Sequence, residues 1–164
     1  MTYFRIGAQR LAFCLIAGAT LLAVAATPSH AAAKIQRLVS PGGIEAWFVQ
    51  DATVPLVAME YAFGGGAAQD PAGKSGVGNM VASLLDEGSG DLDSKAFHER
   101  LERRAIELSF AANRDTFRGS LRMLKDNKDE AFDLLHLALT SPRFDATDIE
   151  RIRAQVISSL RRET

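Results

Sequence analysis

The stretch from Phe63 to Gly88 reads FGGGAAQDPAGKSGVGNMVASLLDEG, and it contains the change of pattern that decides the fold. Apolar side chains alternate through the residues before it, which predicts a strand over Val54–Phe63 that ends at three consecutive glycines. From Gly76 to Asp86 the spacing becomes that of a helix with one buried face, carried by Val77, Met80, Val81, Leu84 and Leu85. The sequence therefore predicts a strand, a glycine-rich loop and a helix in that order.

The loop also contains a Gly-Lys-Ser triplet at residues 73–75, which invites comparison with phosphate-binding loops. Those loops follow G-x-x-x-x-G-K-[ST], and Ala68 stands where their first glycine is required. We therefore interpret the triplet as part of a turn that leads into the helix.

Patterns on either side of this stretch complete the predicted fold. The predicted elements are a hairpin of Ile35–Val39 and Ile44–Gln50, a helix over Ser94–Arg104, a hairpin of Ile106–Phe110 and Phe117–Met123, a buried helix over Asn127–Thr140, and a last helix after Asp145 with Ile149, Ile152, Val156 and Leu160 on one face. The order β-β-β-α-α-β-β-α-α favours an α+β fold with an antiparallel sheet and helices packed on one side.

The first 31 residues have the pattern of a secretory signal peptide. Arg5 and Arg10 precede an uncharged run from Leu11 to Ala26, and small residues follow at a cleavage site after Ala31, with Ala31-Ala32-Ala33 as a second option. The run is shorter than the roughly 20 apolar residues of a membrane helix. We therefore expect export to a periplasm, no membrane attachment after cleavage, and loss of Cys14, the only cysteine. The formal net charge of −1 for the whole chain gives no basic surface for nucleic acid.

Two groups of side chains could suggest a metal or acid–base site. His98 and His136 lack the short spacing that would place two ligands on one helical face, so we do not predict a zinc site from them. Asp86, Glu87, Asp91 and Asp93 surround Gly88-Ser89-Gly90, and we interpret them as a solvated loop.

The Phe63–Gly88 stretch, together with Ser141-Pro142-Arg143-Phe144-Asp145, resembles the pitrilysin/insulinase-type metallopeptidases, also called inverzincins. In that family a helix with the motif H-x-x-E-H follows such a loop, and its two His bind zinc while its Glu activates water. The resemblance implies that residues 32–164 form the N-terminal part of an insulinase-like half-domain. We expect this half-domain to be incomplete and the chain to be an N-terminal fragment, because it stops within its last predicted helix.

This sequence departs from the family at the residues that carry the chemistry. The resemblance places the first zinc ligand at Asn79, the general base at Ala82, the second ligand at Ser83 and the third ligand at Ser159. An acidic helper of the third ligand would fall at Ile152. Positions 79, 82 and 83 are expected to lie off the apolar face of their helix. The resemblance therefore implies a non-catalytic member without the family's zinc.

Inactive members of this family commonly pair with active ones, so the resemblance implies an active zinc peptidase subunit as partner and peptides as substrates. Gly64, Gly65, Gly66 and the polar face of the Asn79 helix would then face the substrate chamber. A stand-alone interaction or scaffold protein of the same fold is the alternative. An active zinc endopeptidase that uses His98 or His136 is a third, less favoured hypothesis.

Overall fold

The computed structural model describes residues 34–163, so the predicted signal peptide and Cys14 lie outside the described residues. The chain divides into two compact units, with the boundary between Ala52 and Thr53. Across the described part of the chain, every helix is too short or too polar to cross a membrane.

The first unit contains the predicted N-terminal hairpin. Strands β1 (Ile35–Val39) and β2 (Glu45–Val49) pair antiparallel, with Arg37 opposite Trp47. Gly43 adopts a φ of 84°, which L side chains rarely adopt, and Ser40 closes the turn by donating its N–H to the Ile44 carbonyl at 2.8 Å. The hairpin predicted around the proline–glycine turn is thus confirmed.

The second unit contains the four α-helices of the described residues, two short 3-10 helices and five strands. Its elements are β3 (Leu56–Gly64), α1 (Val77–Ala82), β4 (Gly88–Ser89), β5 (Leu92–Asp93), α2 (Ser94–Arg103), β6 (Glu107–Ala112), β7 (Thr116–Leu124), α3 (Lys128–Thr140) and α4 (Ala146–Glu163). Strands β3, β7 and β6 form an antiparallel sheet in that order. Asp93 caps α2 by accepting the Ala96 N–H at 2.8 Å.

The core of this unit lies between one face of the sheet and helices α2 and α3. Its fully buried side chains include Phe97 from α2, Leu134 from α3, and Leu121 and Met123 from β7. The opposite face of the sheet carries polar pairs between β6 and β7, including the hydroxyls of Ser109 and Ser120, 2.8 Å apart. The predicted α+β architecture with helices on one side of an antiparallel sheet is therefore confirmed.

The helix predicted over Gly76–Asp86 is shorter than expected. It ends at Ala82, and residues 83–86 continue as turns in which Leu84 donates its N–H to the carbonyl of Val81. These tighter turns keep Leu84 and Leu85 buried, so the apolar spacing persists although the α-helix has ended.

The interpretation of the acidic residues around Gly88–Gly90 as a solvated loop holds for Asp91 and Asp93, which are exposed. The segment is not a loop, however, and Asp86 and Glu87 are half-buried. Strands β4 and β5 form a small hairpin here, and Ser89 is fully buried. The segment after α3 holds the hairpin in place, because Gly90 donates its N–H to the Ser141 carbonyl and Arg143 donates its N–H to the Gly88 carbonyl. Two-residue strands show no periodicity, which is why the pattern did not reveal them.

Candidate functional site

The loop before α1 is organised around the carboxylate of Asp70. Its two oxygens accept the N–H groups of Gly76 and Gly78 at 2.7 and 2.8 Å, at the start of the helix. Two backbone donors that a phosphate loop would offer to an anion are thus bound by a side chain of the same chain. This arrangement supports the interpretation of residues 73–75 as a turn.

The three positions that correspond to H-x-x-E-H lie on α1 and in the turn after it. Asn79 is exposed and Ser83 is half-buried, but Ala82 is only 4% exposed, so the expectation that it would lie off the buried face is wrong. Gly78 lies one turn earlier on the same side of α1, where an added Cβ would be 3.6 Å from the Cβ of Ala112 in β6. Helix α1 therefore lies close to β6 at Gly78, and Ala82 is a small side chain at a buried position one turn later.

The two serines at ligand positions use their hydroxyls within their own segments. Ser83 donates its Oγ–H to the Asn79 carbonyl at 3.0 Å, and Ser159 on α4 donates its Oγ–H to the Val156 carbonyl at 2.8 Å. Ile152, at the position of the acidic helper, is buried. Structural and catalytic zinc ions in proteins are bound by His, Cys, Asp or Glu, so these positions do not fit the family's zinc.

The two histidines of residues 34–163 do not supply a replacement site. His98 on α2 is half-buried with its Nδ1 2.8 Å from the Ser94 carbonyl, and His136 on α3 is exposed. Among the described residues, no group of three or more His, Cys, Asp or Glu side chains is placed to hold a metal ion.

Gly65 and Gly66 bring the chain after β3 close to the turn between β6 and β7. Gly65 donates its N–H to the Asp115 carbonyl at 2.9 Å, and an added Cβ on Gly66 would lie 2.3 Å from the Asn113 oxygen. Gly64 is exposed, with open space where a Cβ would project. The positive φ of 113° at Gly65 and the close backbone at Gly66 account for glycine at these positions, whereas binding of substrate by Gly64–Gly66 stays a prediction.

Sequence reasoning missed a group of polar and charged side chains between α1, α2 and α4, which we call the Glu87 cluster. It consists of Asp86, Glu87, Ser94, His98 and Arg151. The nearest clue in the sequence was the acidic pair Asp86-Glu87, but its partner Arg151 lies more than sixty residues later and has no pattern that links it to them.

The environment of the Glu87 cluster shifts its two carboxyl groups in opposite directions. Burial raises the pKa of Asp86, and the neighbouring Glu87 charge adds to this shift. Burial also acts to raise the pKa of Glu87, but hydrogen bonds from Ser94 and Arg151 outweigh it, so the pKa of Glu87 lies below its ordinary value.

Comparison with known proteins identifies the relatives of this fold. A family model described as Insulinase (Peptidase family M16) matches residues 48–162. A protein of Helicobacter pylori described as "Non-peptidase homolog YmxG" is 29% identical over 107 residues, which cover 65% of this chain and 25% of that protein.

Two solved structures share the fold. A peptidase M16 inactive domain from Pseudomonas fluorescens superimposes with a TM-score of 0.70 at 25% identity, covering 77% of this chain and 31% of that one. A protease from Helicobacter pylori gives a TM-score of 0.63 at 19% identity, covering 79% and 31%. The chain therefore spans about a quarter to a third of the length of these relatives, and the predicted insulinase-like half-domain is confirmed.

Proposed function

We propose that this chain, which belongs to the insulinase family (peptidase family M16), is a non-catalytic subunit. It would form part of a two-subunit zinc peptidase in the periplasm. The family membership implied by the resemblance is established by the match over residues 48–162. In this proposal an active subunit with an intact H-x-x-E-H helix holds the zinc. The present chain closes the chamber and helps to bind the peptide.

One observation carries the proposal: the fold is retained while all four motif side chains are replaced. Asn79, Ala82, Ser83 and Ser159 supply neither a zinc ligand set nor a general base, yet α1, the sheet and α4 are all formed. Zinc catalysis in proteins relies on three such ligands and an activated water. The domain therefore needs a catalytic partner to act on peptides.

Two relatives carry descriptions that agree with a non-catalytic domain. The Helicobacter pylori relative is described as a non-peptidase homologue, and the Pseudomonas fluorescens structure as an inactive domain. Both descriptions apply to those proteins, and they support the proposal for this chain through the shared family and fold.

The surfaces available for a peptide support a binding role. Asn79 and Gly64 are exposed. Strand β6 pairs with β7 on one side, and within residues 34–163 its other edge has no strand partner. An extended peptide can add to such an edge through main-chain hydrogen bonds, and here it would lie beside α1, which contacts β6.

Co-purification from the periplasm tests the proposal. The full protein is tagged, isolated from the periplasmic fraction and analysed for bound proteins and for zinc. We expect a second insulinase-type protein with H-x-x-E-H to co-purify, and the tagged protein separated from it to hold far less than one zinc per chain. Stoichiometric zinc in the separated protein would contradict the proposal. Isolation as a protein without such a partner would favour the stand-alone scaffold.

A further inference from the structure

Helix α4 is attached to the rest of its unit by few buried side chains. Among its described side chains, only Ile152 is buried, while Ile149 and Val156 are half-buried and Ile157 and Leu160 are exposed. By contrast, α3 buries Ala131, Leu134, Leu135 and Ala138 in the core. The free energy that holds α4 in place therefore depends strongly on its polar contacts.

The main polar contact is the ion pair between Arg151 of α4 and Glu87, which follows the turns after α1. Arg151 Nη2 lies 2.5 Å from Glu87 Oε2, and the Glu87 side chain is only 12% exposed. Ser94 at the start of α2 donates its Oγ–H to the same oxygen at 2.6 Å. Glu87 thus joins three helical regions through one carboxylate.

Each element around Glu87 presents a charged or titratable group to it. Asp86 comes from the turn after α1 and His98 from α2, while α4 contributes Arg151 and also Asp148, whose Oδ1 is 3.0 Å from Arg151 Nη2. Arg151 and a protonated His98 favour the charged form of Glu87, whereas the charge on Asp86 opposes it.

We propose that the Glu87–Arg151 pair is an acid-sensitive clasp, and that loss of the Glu87 charge releases α4 from α1 and α2. Protonated Glu87 no longer offers Arg151 a carboxylate, and the other ion-pair partner of Arg151 among the described residues, Asp148, lies on the same helix. The attachment of α4 to α1 and α2 is then weaker by one partly buried charge-assisted contact. The clasp does not depend on the proposed function, because it concerns contacts within this chain.

The two carboxyl groups set the pH at which the clasp opens. Because the pKa of Glu87 is lowered in the fold, its contribution is present above the ordinary glutamate pKa and is lost as the pH falls through the lowered value. The pKa of Asp86 is raised, so Asp86 takes up its proton first and removes its repulsion of the Glu87 charge. The clasp therefore persists through the ordinary glutamate range and opens only at lower pH.

Hydrogen exchange of the full chain between pH 7 and pH 3 tests the clasp, with protection factors that correct for the intrinsic pH dependence of exchange. Helix α3 in the same molecule is the internal reference. We expect the protection of α4 amides to fall roughly tenfold to a hundredfold before α3 loses protection, as for loss of a charge-assisted hydrogen bond. Simultaneous loss in both helices, or unchanged protection of α4, would overturn the proposal.

Two variants and one matched control sharpen the test. In Glu87→Gln, and separately in Arg151→Met, α4 should already be weakly protected at pH 7 and should show little further change in acid. Glu150→Gln removes an exposed ion pair with Arg153 on the same helix and should leave the wild-type profile unchanged. A wild-type profile in Glu87→Gln would overturn the clasp. If the variants do not fold, the comparison of α4 with α3 in the wild type decides.

Discussion

Substitution of Gly66 by Ala tests how the glycine stretch shapes the fold. Gly66 has a φ of 145°, and an added Cβ would lie 2.3 Å from the Asn113 oxygen and 2.9 Å from the Thr116 nitrogen. Both neighbours are backbone atoms and cannot rotate away. A strained φ lowers the free energy of unfolding by about 1–3 kcal/mol. The displacement of packed atoms lowers it by about a further 1–3 kcal/mol.

Gly64→Ala is the matched control, because no atom lies within 4 Å of its added Cβ. Urea denaturation of the two variants and the wild type measures the free energy of unfolding. We expect Gly66→Ala to lose about 2–6 kcal/mol, and Gly64→Ala to stay within about 0.5 kcal/mol of the wild type. Equal stability of the two variants would refute the close approach of residue 66 to the β6–β7 turn.

Three further substitutions test the core, a helix cap and the charge on Asp86. Phe97→Ala, at a side chain with no exposure, should lower the free energy of unfolding by about 3–5 kcal/mol, whereas Phe132→Ala, at 40% exposure, should cost much less in the same urea titration. Asp93→Ala removes the cap of α2 and should cost about 1 kcal/mol, with the exposed Asp91→Ala as a control that leaves the thermal midpoint unchanged. Because burial raises the pKa of Asp86, its charge destabilises the fold at neutral pH, so Asp86→Asn should be more stable than the wild type at pH 7. The gain in the free energy of unfolding should vanish below about pH 4, where an ordinary aspartate is protonated. An equal gain at pH 7 and below pH 4 would contradict the burial of this carboxyl.

The sequence predicted the elements whose side chains repeat with a clear period. Strand β3, with Val57, Met59 and Tyr61 half-buried on one face, and the hairpins around Gly43 and Asn113 form as expected. The end of α1 could not be predicted, because tight turns bury Leu84 and Leu85 at the same spacing as a helix.

The candidate site could be predicted only in part from the sequence. The motif positions were found because α1 and its loop retain the order of the family. The burial of Ala82 was not found, because position 82 lies off the apolar spacing of its helix. The Glu87 cluster joins residues far apart in the sequence through the packing of α4. Such contacts follow from tertiary structure and have no periodic signature.

The most direct test of the central claim is the rate of peptide cleavage by the co-purified, H-x-x-E-H-containing subunit, measured during titration with this protein. The account predicts no cleavage by this protein alone and a rate that rises until the two subunits are equimolar. A partner that cleaves peptides equally well with and without this protein would contradict the account.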